Sequence, residues 1–233
     1  STRVVAKVLR HDVRHPERAR ARLEREAVLT MSIKHPNIVR GIDWSPEPAY
    51  LLLEHLDGVS LRELLRQRGR LAPDEAADMA SQVLDALGEL HRRSIVHADV
   101  KPANVMVVRD DSRMRFVVVD FDLARRVGEP VRGVGTHMFR APEHDGAALA
   151  AASADVWGVG ILLYRALTGE LPFSARNQGH QLPNHRPVRD IAPHVPEELA
   201  RVFDDLLAHD TSRRSDAARL ATKLRSCVAL ATC

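Results

Sequence analysis

Two neighbouring stretches decide the fold: His97–Val107, HADVKPANVMV, and Val117–Ala124, VVVDFDLA. In the first, Asp99 and Asn104 come shortly before an apolar run, and in the second Asp120 ends another apolar run. A protein core disfavours such side chains unless they are paired or hydrogen-bonded. Each of them could be a turn or capping residue on its own, but their combination indicates a site.

Strand-like runs lie upstream of these stretches and also overlap them, and a single helical pattern follows the first run. The helix is expected from Pro16 to about Ile33, because Pro suits a first turn and apolar residues recur every three to four positions. Lys7 interrupts the first apolar run, which otherwise suits a buried strand, and the last two runs flank a polar turn, as in a hairpin. The predicted strands are 4–9, 39–44, 50–53, 105–108 and 116–119.

Beyond Gly58 helical patterns dominate the sequence. Ser60 and Glu63 predict a capping box, in which both side chains accept hydrogen bonds from backbone N–H groups at a helix start. Residues 73–93 place their apolar side chains on one stripe, which is typical of an amphipathic helix. Further helices are expected at 155–168, 196–208 and 215–230, with a polar loop over 174–193.

The composition excludes several classes of protein. Of the 233 residues, 45% are hydrophobic and 28% charged, as in ordinary globular domains, and a net charge of +3 does not predict nucleic-acid binding. Cys227 and Cys233 form no C-x-x-C pair, which argues against a disulfide framework or zinc site and favours a reducing cytoplasm. No apolar run reaches the roughly 18 residues of a membrane span, so we expect a cytoplasmic chain or the cytosolic part of a larger protein.

Four segments occur in an order that is typical of one family. The two stretches quoted above are followed by GTHMFRAPE (135–143) and DVWGVGILLYRALTGELPF (155–173). Together they resemble the eukaryotic-like (Hanks-type) serine/threonine protein kinases in their bacterial form, and the resemblance covers nearly the whole chain. Four ordered motifs are far more specific than any one of them.

The resemblance implies an α+β, bilobal protein-kinase-like fold. The whole chain, 1–233, would be one catalytic domain, with a small β-rich N-lobe and hinge at 1–56 that lacks its first hairpin, and a larger, mostly helical C-lobe at 57–233. It also implies ATP and Mg²⁺ or Mn²⁺ as cofactors. The substrate would be a protein that presents a Ser or Thr hydroxyl.

The same resemblance assigns roles to the polar residues of the quoted stretches. Asp99 matches the catalytic Asp that accepts the proton of the attacking hydroxyl, and Lys101 matches the Lys that contacts the transferred phosphate. Asn104 and Asp120 match the residues that hold the metal through oxygen atoms, which a hard cation prefers.

Residues outside these stretches complete the expected site. A lone Lys in an apolar strand is usually a snorkelling edge residue. Here, however, Lys7 matches the Lys that steadies the α- and β-phosphates, and Glu26, 19 residues later, is the candidate carboxylate that holds it. The resemblance further implies that Glu143 pairs with Arg214, with Arg213 the less favoured partner, and that Asp155 ties down the backbone of the catalytic loop.

Adenine binding leaves only apolar traces in the sequence. By resemblance, Leu53 occupies the gatekeeper position and the backbone from Glu54 to Leu56 would face the base, while Val5 and Met106 would sandwich the ring. A run of aliphatic residues is more often core than cofactor pocket. The adenine site therefore rests on the resemblance alone.

Two departures from the family pattern concern the nucleotide site. Only six residues precede Lys7, so the Gly-rich loop that covers the phosphates is not in this sequence. Either a segment is missing from the sequence, which we favour, or the protein dispenses with the loop. In addition, Asp122 stands where the family has Gly, and a Cβ would cost energy if that position required a positive φ.

A third departure concerns regulation. Ala98 replaces the Arg that in many kinases pairs with a phosphate on the activation loop, and residues 123–135, LARRVGEPVRGVG, contain no Ser, Thr or Tyr. Both features predict activity that does not require phosphorylation of this loop. Thr136, the first hydroxyl residue after it, is expected to order the catalytic loop.

Two other functions stay open at this stage. A pseudokinase that binds nucleotide or acts as a scaffold is supported only by the missing loop and Asp122, and a small-molecule kinase of similar fold is disfavoured by Lys101 and the APE motif. The arginines at 18, 20, 22 and 25 alternate with glutamates, so they predict a solvated helix face and no nucleic-acid partner.

Overall fold

The computed structural model describes residues 3–10, 14–110, 113–131, 137–144, 148–173, 185–214 and 216–231. The strands are β1 (Val4–Val8), β2 (Gly41–Pro46), β3 (Ala49–Glu54), β4 (Gly58–Ser60), β5 (Ile95–Val96), β6 (Val105–Asp110), β7 (Arg113–Val118) and β8 (Arg125–Arg126). The α-helices are α1 (Pro16–Ser32), α2 (Leu61–Arg68), α3 (Pro73–Arg92), α4 (Ala152–Thr168), α5 (Val188–Ile191), α6 (Glu197–Arg201), α7 (Phe203–Leu206) and α8 (Ala217–Ala231). Short 3₁₀ turns occur at Pro102–Asn104, His137–Phe139, Pro142–His144 and Thr211–Arg213.

The amino-terminal lobe is an antiparallel sheet, in the order β1-β3-β2, against which α1 packs. Lys7 of β1 lies opposite Leu51 of β3. The prediction that β1 is buried was wrong: Val5 is 44% and Val8 63% exposed. The reason is that α1 packs mainly against β2 and β3 and leaves β1 little covered, so an apolar sequence does not guarantee a buried position.

The carboxy-terminal lobe is mainly helical and carries a second sheet, in the order β4-β6-β7. The predicted hairpin is confirmed, because β6 and β7 pair from Val105–Val118 to Asp110–Arg113. Buried α4 supports the loop before β6, and its Gly158 allows the close approach: a Cβ there would lie 2.8 Å from the Cβ of Val100. Asp99 is thus carried by a loop that packs directly on the core helix.

Backbone hydrogen bonds join the two lobes next to the quoted stretches. The N–H of Val39 donates to the carbonyl of Val118 at 3.0 Å, and the N–H of Val118 donates to the carbonyl of Asn37 at 2.8 Å. The side-chain amide of Asn37 also donates to Gln82 of α3 and to the carbonyl of Phe116, both at 2.8 Å. These bonds connect the loop after α1 to the end of β7, and so place α1 beside Asp120.

Three local predictions needed correction. Only the Ser60 half of the capping box forms, with the Glu63 N–H donating to the Ser60 hydroxyl at 3.2 Å; the Glu63 carboxylate instead accepts from Arg66 and Gln67. The helix expected at 196–208 is two short helices, α6 and α7. The loop expected at 174–193 contains the short helix α5, and its residues 174–184 lie outside the described residues.

The main apolar cluster of the core extends through both lobes, from Ala27 of α1 to Leu224 of α8. Trp157 and Tyr164 of α4 are among its largest fully buried side chains. In the described part of the chain, no helix combines the length and apolarity that a membrane span requires. The amino-terminal lobe, with its sheet and α1, and the mainly helical carboxy-terminal lobe match the α+β, bilobal architecture expected from the sequence.

Candidate active site

The buried carboxylate of Asp155 fixes the start of the catalytic loop. It accepts hydrogen bonds from the backbone N–H groups of His97 and Ala98, both at 2.9 Å, and lies 2.9 Å from Nε2 of His91. Ala98 has a left-handed φ of 63°, a conformation that costs a residue with a Cβ roughly 1–2 kcal/mol. The expectation that Asp155 ties down this backbone is confirmed, and the Asp99 side chain projects from the backbone so held.

His91 is a site residue that the sequence pattern did not indicate. It lies in the last turn of α3, where basic and polar side chains are common, so its pattern gave no distinct signal. Burial raises the pKa of Asp155, but the hydrogen bond and charge of His91 outweigh it and bring the pKa below its ordinary value. His91 therefore helps to keep a fully buried carboxylate ionised.

Asp99, Lys101 and Asn104 form one hydrogen-bonded group. Lys101 Nζ lies 2.5 Å from Asp99 Oδ2, and Asn104 Nδ2 donates to the same oxygen and to the Asp99 carbonyl, both at 3.0 Å. The Asp99 N–H donates to Nδ1 of His97 at 3.2 Å. Asp99 is only 7% exposed, so its carboxylate is held in one orientation at the edge of the core.

Lys7, Glu26 and Asp120 form a second connected group, across the lobes. Lys7 Nζ donates to Glu26 Oε1 at 2.6 Å and to Asp120 Oδ1 at 2.8 Å. Burial lowers the pKa of Lys7, but the two carboxylates outweigh it and raise the pKa; burial raises the pKa of Asp120, but Lys7 brings it below the ordinary value. Pairing raises the pKa of Lys7 and lowers the pKa of Asp120, and both changes favour the charged form. The Lys7 ammonium and the Asp120 carboxylate therefore persist at neutral pH.

The segment after β7 brings the two groups together. The Val119 N–H donates to the Asn104 carbonyl at 2.9 Å, and the Phe121 N–H donates to Glu26 Oε1 at 3.1 Å. Asp120, between them, has a left-handed φ of 66°, which Asp tolerates better than most residues. A non-glycine residue held in this conformation by its neighbours is typical of functional sites.

The donor set suits a magnesium ion. The Asn104 amide nitrogen is engaged with Asp99, so the amide oxygen is the atom left for a cation, and Asp120 adds a half-exposed carboxylate. Oxygen donors of this kind fit Mg²⁺, which keeps several waters or substrate phosphates among its ligands. Accordingly, the described residues contain no group of three or more His, Cys, Asp or Glu side chains that could hold a metal by themselves.

The residues expected around adenine lie on three separate elements. Val5 of β1 and Leu53 of β3 face each other in the sheet register, whereas Met106 lies on β6, opposite Ser60 of β4. Leu53 is buried and Leu56 and Met106 are half-buried against the core. The Glu54 N–H donates to the carbonyl of Arg40 at 3.0 Å. These positions do not test adenine binding, so the adenine pocket stays a prediction.

A cavity of about 520 Å³ opens beside Lys7 and Asp120. The carboxylate of Asp122 lines it, facing Arg22 of α1. Asp122 does not have the positive φ that would strain a residue with a Cβ, because the non-glycine residues with positive φ in the described chain are Ser94, Ala98 and Asp120. Asp122 therefore adds a charge to the site at no backbone cost.

The predicted pair between Glu143 and Arg214 is confirmed. The guanidinium of Arg214 donates to both Glu143 oxygens, at 2.6 and 2.8 Å, and to the carbonyls of Ala208 and Ser153. It also lies over the Trp157 ring, 5.0 Å from the ring centre. This pair links the APE motif, which ends at Glu143, to the helical lobe. Residues 132–136, including Thr136, lie outside the described residues.

Comparisons with known proteins agree with this geometry. The family model described as protein kinase domain matches residues 1–224. The chain is 34% identical over 230 residues to the serine/threonine-protein kinase PkaA of Streptomyces coelicolor, covering 95% of this chain and 42% of that protein. It is 28% identical over 227 residues to the serine/threonine-protein kinase PrkC of Bacillus subtilis, covering 92% of this chain and 35% of that protein.

The serine/threonine-protein kinase PknB of Mycobacterium tuberculosis is 33% identical over 184 residues, which cover 73% of this chain and 29% of that protein. The chain thus spans less than half the length of these curated relatives. The family match covers nearly all of the chain and includes every motif quoted above. The chain therefore belongs to the protein kinase family and is a kinase domain of the bacterial, Hanks-type serine/threonine class.

Proposed function

We propose that this chain transfers the γ-phosphoryl group of ATP to a Ser or Thr hydroxyl of a protein substrate. The observation that carries the proposal is the geometry of the two charged groups. Asp99, Lys101 and Asn104 are hydrogen-bonded to one another, and Lys7 links Glu26 to Asp120. These contacts bring together the polar residues to which the family resemblance assigns the reaction, and they support the proposal.

Phosphoryl transfer depends mainly on positioning and on charge neutralisation. The Asp99 carboxylate accepts the proton of the attacking hydroxyl. Lys101, already beside it, offers its positive charge to the transferred phosphate. Since Asn104 donates to Asp99, the base stays oriented before the substrate arrives.

On the nucleotide side, Lys7 would contact the α- and β-phosphates while Glu26 continues to hold its ammonium group. Glu26 is 2% exposed and receives the Phe121 N–H, so it is a fixed anchor from which Lys7 reaches the nucleotide. Asn104 and Asp120 would hold magnesium. When bound, the ion neutralises charge on the phosphates.

The same proposal includes activity without phosphorylation of the activation loop. Ala98 carries no guanidinium that could pair with a phosphate, and its N–H is already bonded to Asp155. Residues 123–135 contain no acceptor hydroxyl. We expect phosphatase treatment to leave the phosphotransfer rate unchanged. A loss of activity traced by mass spectrometry to a phosphate in this segment would overturn this part of the proposal.

The test of the activity uses this chain with radiolabelled ATP, magnesium and a generic basic protein. Acid hydrolysis of the labelled product should yield phosphoserine or phosphothreonine. Nucleotide binding without any transfer of label would contradict the proposal and support the alternative of a pseudokinase. Label transferred only to a small molecule would support the second alternative, a small-molecule kinase of similar fold.

A further inference from the structure

An ion pair joins α1 to the segment after Asp120. Arg22 Nη1 of α1 lies 3.4 Å from Asp122 Oδ2, and both side chains line the cavity beside Lys7. The pair lies one turn of α1 from Glu26, which receives the Phe121 N–H on the same side of the helix. Asp122 thus extends the set of contacts that hold α1 next to Asp120.

The surroundings of this pair are strongly basic. Burial first, and then the positive charges of Arg25 and Arg22, lower the pKa of Arg125 at the start of β8, while Glu129 and Asp122 oppose the shift. The guanidinium groups of Arg22 and Arg25 of α1 therefore act electrostatically on that of Arg125 of β8. Without a carboxylate among them, α1 and β8 would repel each other.

We propose that Asp122 is a positioning residue whose carboxylate acts as a built-in counter-ion for Arg22 and Arg125, and so keeps Glu26 of α1 against Lys7. The inference rests on the proposed function and deepens it. Residues 123–135 can supply no phosphate to this basic group. The Asp122 carboxylate supplies an anion there without a modification.

The effect of this counter-ion is measurable by substitution at Asp122. Asp122→Asn removes the charge and keeps the size, and Asp122→Gly introduces the residue that the family pattern has. Both should lower kcat/KM for ATP by about threefold to fivefold, the range for a partly exposed ion pair, with the KM of the acceptor peptide unchanged. Asp122→Glu, which restores the charge, should stay within about twofold of the wild type.

Charge exchange provides the sharper test. Arg22→Asp and Asp122→Arg should each reduce kcat/KM for ATP by more than about fivefold, because each puts like charges together. The double variant should recover to within about threefold of the wild type. The matched control is Arg20 of the same helix, whose guanidinium lies 2.9 Å from the Glu47 carboxylate and does not line the cavity. Arg20→Asp should leave kcat and both KM values unchanged.

A second readout does not depend on catalysis. Hydrogen exchange of the α1 amides, measured without nucleotide, should be faster in Asp122→Asn than in the wild type, with exchange in α3 unchanged. An active wild type with equal kcat/KM and equal α1 exchange in Asp122→Asn would overturn the role of Asp122. An inactive wild type would instead overturn the proposed function, and the exchange measurement would then decide the role of Asp122 alone.

Discussion

Replacing Asp155 by Asn should destabilise the domain and displace the catalytic loop. The carboxylate accepts the N–H groups of His97 and Ala98 and contacts His91, all at 2.9 Å and with 1% of the residue exposed. The amide oxygen of Asn can serve one backbone N–H, but its NH₂ group then faces the other donor. One unsatisfied buried donor costs about 1–3 kcal/mol, and the lost charge weakens the remaining bonds, so we expect about 3 kcal/mol in total.

The same substitution should reduce catalysis. Ala98 keeps its left-handed φ of 63° because these bonds hold it, and without them the backbone can relax. Asp99 is the next residue, and a displacement of about 1 Å in a catalytic group can cost about 100-fold in rate. We therefore expect kcat to fall about 100-fold while ATP affinity changes little.

Urea unfolding followed by circular dichroism, together with kcat, measures both effects. The control is Asp190→Asn at an exposed position of α5, which should change stability by less than about 0.5 kcal/mol. Since the folded-state pKa of Asp155 lies below its ordinary 3.8, its contribution is complete above that pH and is lost as the pH falls through the folded-state pKa. A destabilisation under about 1 kcal/mol, with kcat unchanged, would refute the reasoning.

Two further substitutions test the packing around the site. Arg214→Met removes the bidentate partner of Glu143 and should lower the free energy of unfolding by about 3–5 kcal/mol, since Glu143 is left half-buried and unpaired; the double variant Arg214→Met with Glu143→Gln should recover part of this in urea unfolding. Gly58→Ala would put a Cβ 2.0 Å from the Val107 carbonyl oxygen, so β4 must separate from β6, and the melting temperature should fall by several degrees. An unchanged melting temperature would contradict the register of these strands.

Part of the candidate site was indicated by the local sequence. Asp99 and Asn104 stand out because polar side chains come shortly before an apolar run, and the resemblance supplied their roles; their hydrogen bond is seen only in the structure. The β6–β7 hairpin was predictable because two apolar runs flank a polar turn. The distant pairs Lys7–Glu26 and Glu143–Arg214 were predicted only through the family resemblance, since nothing in their local sequence identifies a partner.

The predictions that failed depend on tertiary neighbours or on local competition. The valines of β1 look like core, but whether a strand is covered depends on elements elsewhere in the chain. Glu63 leaves the capping box because Arg66 and Gln67, three and four residues later, offer it donors of their own. His91 gave no signal because its role exists only where α3 meets α4.

The role of Asp99 as the base is the central claim, and one comparison tests it most directly. The phosphotransfer rate of Asp99→Asn at saturating ATP and magnesium is measured beside the dissociation constant of a non-hydrolysable ATP analogue. We predict that the rate falls at least about 100-fold, the scale of general base catalysis, with the dissociation constant within about twofold of the wild type. A rate equal to that of the wild type would contradict the account.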